Sequence, residues 1–119
     1  DGGLVAGVPV NAAAEMGMEL VFAVNVGGEL DTEPPRSVFD ILYRSSEIMM
    51  RQLDGIQMEQ AAFVLTPEVG HVGTVQFNRA EECIEKGEAA AREALPQMRR
   101  IIEEYQGRRE RERAVGERV

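Results

Sequence analysis

Tryptophan is absent from this 119-residue sequence, and cysteine and histidine occur once each. The lone Cys83 excludes an internal disulfide and fits a reducing, cytoplasmic setting. It lies in a helical pattern beside Ile84 and reads more readily as a small core residue than as a nucleophile. Cys83 and His71, on a helix and a loop, do not make a metal-ligand set, so neither a metal nor a cofactor is expected. His71 reads as a surface or capping residue. Basic residues are scarce: 13 Lys and Arg stand against 21 Asp and Glu, a net charge of -8. That balance argues against nucleic acid as a partner, because phosphate binding needs cations in excess. No apolar run approaches the roughly 20 residues of a membrane span, and no secretory signal pattern is present.

What the sequence has is 44% hydrophobic residues, mostly Val, Leu, Ile, Ala and Met, enough for a packed core in one domain. The charge is uneven. Residues 106–119 hold five Arg and three Glu, a +2 tail on a body of -10, and read as a solvated, frayed, disordered end. The body spans residues 1–105.

Along the body, a Gly-rich start with the apolar stretch "LVAGV" leads to Pro9 and then "VNAAAEM", a run of helix formers closed by Gly17. "ELVFAVNV" is a continuous apolar run bounded by Gly27 and Gly28, the pattern of a strand buried on both faces of a parallel sheet. After the loop "GGELDTEPPR", Ser37 caps a helix to about Leu53. Val38, Leu42, Ser45, Met49, Leu53 and Ile56 recur at three- and four-residue spacing and mark one packed face. Met49, Met50 and Met58 near it suit core packing or an adaptable lipid-binding surface. "AAFVLTP" is a second strand, stopped by Pro67. A Gly-punctuated loop, "EVGHVGTVQF", precedes Asn78 and Glu81, spaced as a capping box for a helix towards Leu95. Pro96 starts or kinks a further turn to about Tyr105. The element order places the chain in the α/β class.

Few residues offer chemistry. "GVPVNAAA" has no phosphate-loop spacing, and Glu81, Glu82, Glu85 and Glu88 read as a solvated helix face. Ser37, Ser45 and Ser46 lack a strand-to-helix elbow. That leaves Asp1-Gly2-Gly3. Asp and Gly are turn residues, and a simple turn is one reading. In the other, the two glycines fold the backbone tightly and leave the Asp1 carboxylate facing a cleft, where it is useful only beside a nucleophile.

The ordered stretch "DGGLVAGVPVNAAAEMGMELVFAVNV" resembles the second catalytic block of bacterial patatin-like phospholipases. That family has Asp-Gly-Gly, a short apolar stretch, a proline, an Ala-rich helix, Gly, and a strand ending like "AVNV". Downstream, "AAFVLTPEVGHVGTVQFNRAEECIEKGEAAAREALPQM" is similar to the family's closing segment. The likeness runs in order from Asp1 to Ile102. It departs at Ala6-Gly7, where many relatives have Asn-Pro. The family's glycine-rich oxyanion loop and Gly-x-Ser-x-Gly elbow are not in these residues.

The resemblance implies a three-layer α/β/α sandwich with a mostly parallel sheet, of which this chain is the C-terminal portion. It implies a serine acyl hydrolase using a Ser-Asp dyad. Asp1 would be the base, Gly2 and Gly3 its supporting turn, and the nucleophile would sit on a preceding part of the same enzyme. The substrate would be a phospholipid, lysophospholipid or other fatty-acyl ester, which leaves peripheral membrane contact open. Against this stands a non-catalytic interaction module docking a partner through the helix from Ser37 to Ile56, suggested by the missing nucleophile, the charged tail and the methionines.

Overall fold

The computed structural model describes residues 5–28, 33–73 and 75–116. In order these form α1 (Val10–Glu15), β1 (Phe22–Val24), α2 (Val38–Met58), β2 (Phe63–Leu65), a 3-10 turn (Phe77–Arg79) and α3 (Ala80–Gly116). The molecule is elongated, 67 × 28 × 21 Å. Most of that length is α3, whose 37 residues at about 1.5 Å each make a rod of about 56 Å.

α1 begins directly after Pro9 and ends as the glycine foretold. Gly17 takes a positive φ of 88°, its N–H donates to Ala14 O at 2.9 Å, and Met18 N–H donates to Ala13 O at 3.1 Å. These two bonds are a Schellman closure, which satisfies carbonyls that the helix end would leave open. α2 starts where the sequence places it. Ser37 Oγ accepts from Asp40 N–H at 3.1 Å, and the Asp40 carboxylate accepts from Arg36 N–H at 2.9 Å.

The strands pair in parallel, Phe22 with Phe63, Ala23 with Val64 and Val24 with Leu65. α2 lies in the connection, as a parallel crossover requires. The small core sits under this pair: Val8, Val10 and Ala23 are buried, with Val21, Met58, Ala61 and Val64 packed around them.

The expectation of a three-layer α/β/α sandwich is overturned. The described residues are mostly helical, and their sheet has two three-residue strands. So narrow a sheet offers no face wide enough for a helical layer on each side. β1 is accordingly not buried on both faces, since Val24 is 56% exposed. The face of α2 read as packed is also reversed. Val38, Leu42, Met49 and Ile56 are 60–70% exposed, while Asp54 and Met58 turn inward. Asn78 is part of the 3-10 turn that leads into α3, and α3 itself begins at Ala80. α3 runs unbroken through Pro96 and on through residues 106–116, which are helical rather than a frayed end. Four Arg, two Glu and one Ala among those eleven residues are strong helix formers and outweigh Gly107 and Gly116.

Candidate functional site

Open α/β sheets place their sites beyond the carboxyl ends of the strands. Here that region holds two adjoining cavities that share Pro67, itself buried. The larger, about 460 Å³, is an open groove between the strand ends and α3. Val24 and Val26 form one wall, Val69, Val72 and Phe77 another, and Ala80, Cys83 and Gly87 the third. Gln76 is the polar exception, and its Oε1 is occupied by Gly73 N–H at 2.9 Å, which tightens the loop. Such a lining suits an apolar chain. Cys83 is half-buried in the groove wall.

The second cavity, about 350 Å³, is lined by Gly27, Thr66, Glu68, Gly70, His71 and Lys86. Lys86 Nζ lies 3.7 Å from Glu68. The loops after the two strands touch closely here, since a side chain at Gly28 would come 3.2 Å from Gly70 O. His71 Nε2 lies 2.8 Å from Glu82 Oε1, and Arg79 grips both oxygens of that carboxylate at 2.7 and 2.8 Å. An ionised carboxylate only accepts, so His71 donates through Nε2. The hydrogen bond from His71, then that from Arg79, holds the Glu82 carboxyl below the usual range. The trio ties the loop wall of the groove to α3.

At the other end of the described structure, Asp54 Oδ1 accepts from Gly7 N–H at 2.9 Å and Val8 N–H at 3.1 Å. A Cβ at position 7 would sit 2.4 Å from Asp54 Oδ2, so glycine is required while Asp54 stays in place. This tie fixes the backbone a few residues after Asp1. Asp1, Gly2 and Gly3 themselves lie outside the described residues.

Sequence reasoning missed Asp54 and the Glu19 clasp. Tyr105 Oη donates to Glu19 Oε2 at 2.5 Å, and Arg109 Nη1 donates to Glu19 Oε1 at 2.9 Å. Asp54 did carry a signal: it is a carboxylate on the side of α2 opposite the apolar stripe, immediately before a helical glycine. Glu19 carried none. Among the described residues no three His, Cys, Asp or Glu come together to hold a metal, and no helix is long and apolar enough to cross a membrane. No known family model matches the chain.

Proposed function

We propose that the chain is the C-terminal portion of a patatin-like serine acyl hydrolase, supplying Asp1 as the base of a Ser-Asp dyad. The observation that carries this reading is the ordered likeness from Asp1 to Ile102, motif after motif, rather than the Asp-Gly-Gly triplet alone. Three structural features support it. The backbone following Asp1 is held by Asp54. The strands on which the likeness rests pair in parallel. An apolar groove suited to a fatty-acyl chain lies at their carboxyl ends.

In this reading a serine on the preceding part of the enzyme attacks the acyl carbonyl, and Asp1 takes the serine proton directly. An acyl-enzyme forms and water releases the fatty acid. An ordinary aspartate, with a pKa of about 3.9, is a weak base at neutral pH; partial burial beside the serine would raise it. The substrate class is phospholipid, lysophospholipid or another fatty-acyl ester, met in the cytoplasm or at a membrane surface.

The test is Asp1→Asn in the enzyme containing both parts, assayed on a short acyl ester. Loss of about 10²-fold or more in kcat, with an unchanged circular dichroism spectrum, is the expected result. Full retained activity removes Asp1 from the mechanism. The interaction-module reading is favoured by the exposed apolar face of α2.

A further inference from the structure

We infer that residues 67–73 form a movable partition between the two cavities, and that its release from α3 widens the apolar groove to admit an apolar chain. The segment has open space on both sides. Val69, Val72 and Gly73 line the groove, Glu68, Gly70 and His71 line the second cavity, and Pro67 belongs to both. A close-packed wall cannot shift without displacing its neighbours. This one backs onto about 350 Å³ of cavity.

Little holds it in place. Its main-chain bonds are its own turns: Val69 N–H donates to Pro67 O and Val72 N–H to Val69 O, both at 2.9 Å. Among the described residues no main-chain hydrogen bond joins it to β1 or α3. Where it passes the loop after β1, Gly70 meets Gly28, and neither has a side chain to interlock. Two side-chain pairs tie it to α3, His71 to Glu82 at 2.8 Å and Glu68 to Lys86 at 3.7 Å. Both land on one face of the helix, since Glu82 and Lys86 stand one turn apart. All four side chains are at least 36% exposed, and pairs so open to water are individually weak and screened by salt.

The anchor outlasts the tie. Arg79 holds both oxygens of Glu82 from the turn that starts α3, so Glu82 keeps its position when His71 leaves. The partition therefore has a fixed point to return to. Its side chains divide by role: the polar Glu68 and His71 make the ties, and the apolar Val69 and Val72 face the groove. Release carries the two valines with it and changes the width of the groove. An apolar chain that binds the wide groove better than the narrow one holds the partition open.

The partition moves whether or not Asp1 is a base, so the experiment needs no catalysis. Cys83 lines the groove and is the sole cysteine, so its alkylation by uncharged iodoacetamide reports the opening. In the full 119-residue chain, Glu68→Ala with His71→Ala should speed that alkylation roughly three- to tenfold, the combined weight of two exposed pairs. High salt should speed the wild type towards the same rate and leave the double variant unchanged. His71→Gln, which keeps an N–H for Glu82, should lie closer to the wild type than His71→Ala does. N-phenyl-1-naphthylamine, an uncharged apolar probe, should protect Cys83. It should do so at a concentration lower in the double variant by the same factor, because both readouts follow one opening equilibrium. Glu88→Gln removes a pair elsewhere on α3 and should change nothing. Alkylation indifferent to the double variant, a Glu88→Gln effect of equal size, a His71→Gln rate no closer to the wild type, or a probe that leaves Cys83 unprotected would each overturn the inference.

Discussion

α1 spans six residues and presses Val10, 3% exposed, against Val8 and Ala23, whereas α3 spans 37 residues and buries none of them. An isolated helix shorter than about 12 residues is marginal in water. α1 therefore depends on what lies outside it: the small core, the Asp54 tie upstream and the Gly17 closure downstream. α3 depends chiefly on what lies within it. Glu88 pairs with Arg92 and Arg100 with Glu104, each one turn apart. Its length lets it carry Gly87, Pro96 and Gly107 in its interior, costs of about 1 kcal/mol for each Gly and about 3 for Pro that a helix the size of α1 has few bonds to offset. One molecule thus shows tertiary and local helix stabilisation side by side.

Val10→Asp should break that comparison most strongly. It buries an unpaired charge in the only core the described residues contain, at a cost of about 3 kcal/mol or more. Hydrogen exchange should show protection lost in residues 10–15, 22–24 and 63–65 while residues 85–105 keep theirs. Equal loss along α3 would mean that the long helix is not self-supporting.

Asp54→Ala comes next. Two backbone N–H groups lose their acceptor, at about 1–3 kcal/mol. Asp54→Asn, which keeps an oxygen for them, should recover most of the loss in a urea titration. Similar values for the two variants would show that the carboxylate charge, not the acceptor oxygen, is what matters.

The smallest expected effect sharpens the comparison, because it concerns the point where α3 does lean on the body. The hydrogen bond to Glu19 raises the Tyr105 phenol above its ordinary pKa, since ionisation would remove the donated proton. Glu19→Gln should move the Tyr105 ultraviolet titration downward. The sign for stability follows. The wild-type contribution of this bond is fully present below the ordinary tyrosine value and fades as pH rises through the raised one. An unmoved titration would mean that the clasp is not populated in solution.

How much of this was legible beforehand depended on distance along the chain. Gly17 and Ser37 end or start helices through bonds spanning a few residues, and Pro67, with no N–H to give, follows the end of β2. The α2 stripe was read correctly as one face but assigned the wrong environment. Periodicity says which residues look the same way, not what they look at. The two strands were found with their parallel sense, yet a third layer was inferred that two three-residue strands cannot support. At the site, Val24, Val26 and Phe77 lay in segments already marked, but their convergence with Cys83 is a product of tertiary structure. The bonds of Asp54 and Glu19 cross 46 and 86 residues, beyond the reach of any local pattern.

The contact between Gly7 and Asp54 constrains which substitutions the two positions accept. A Cβ at position 7 collides with the carboxylate, and a proline there would also remove one of the two N–H groups that the carboxylate holds. Ala6-Gly7 with Asp54 thus steadies this loop by a tie between two distant positions rather than by a stiff residue of its own. A larger residue at position 7 fits only where residue 54 changes too, so 7 and 54 should vary as a pair.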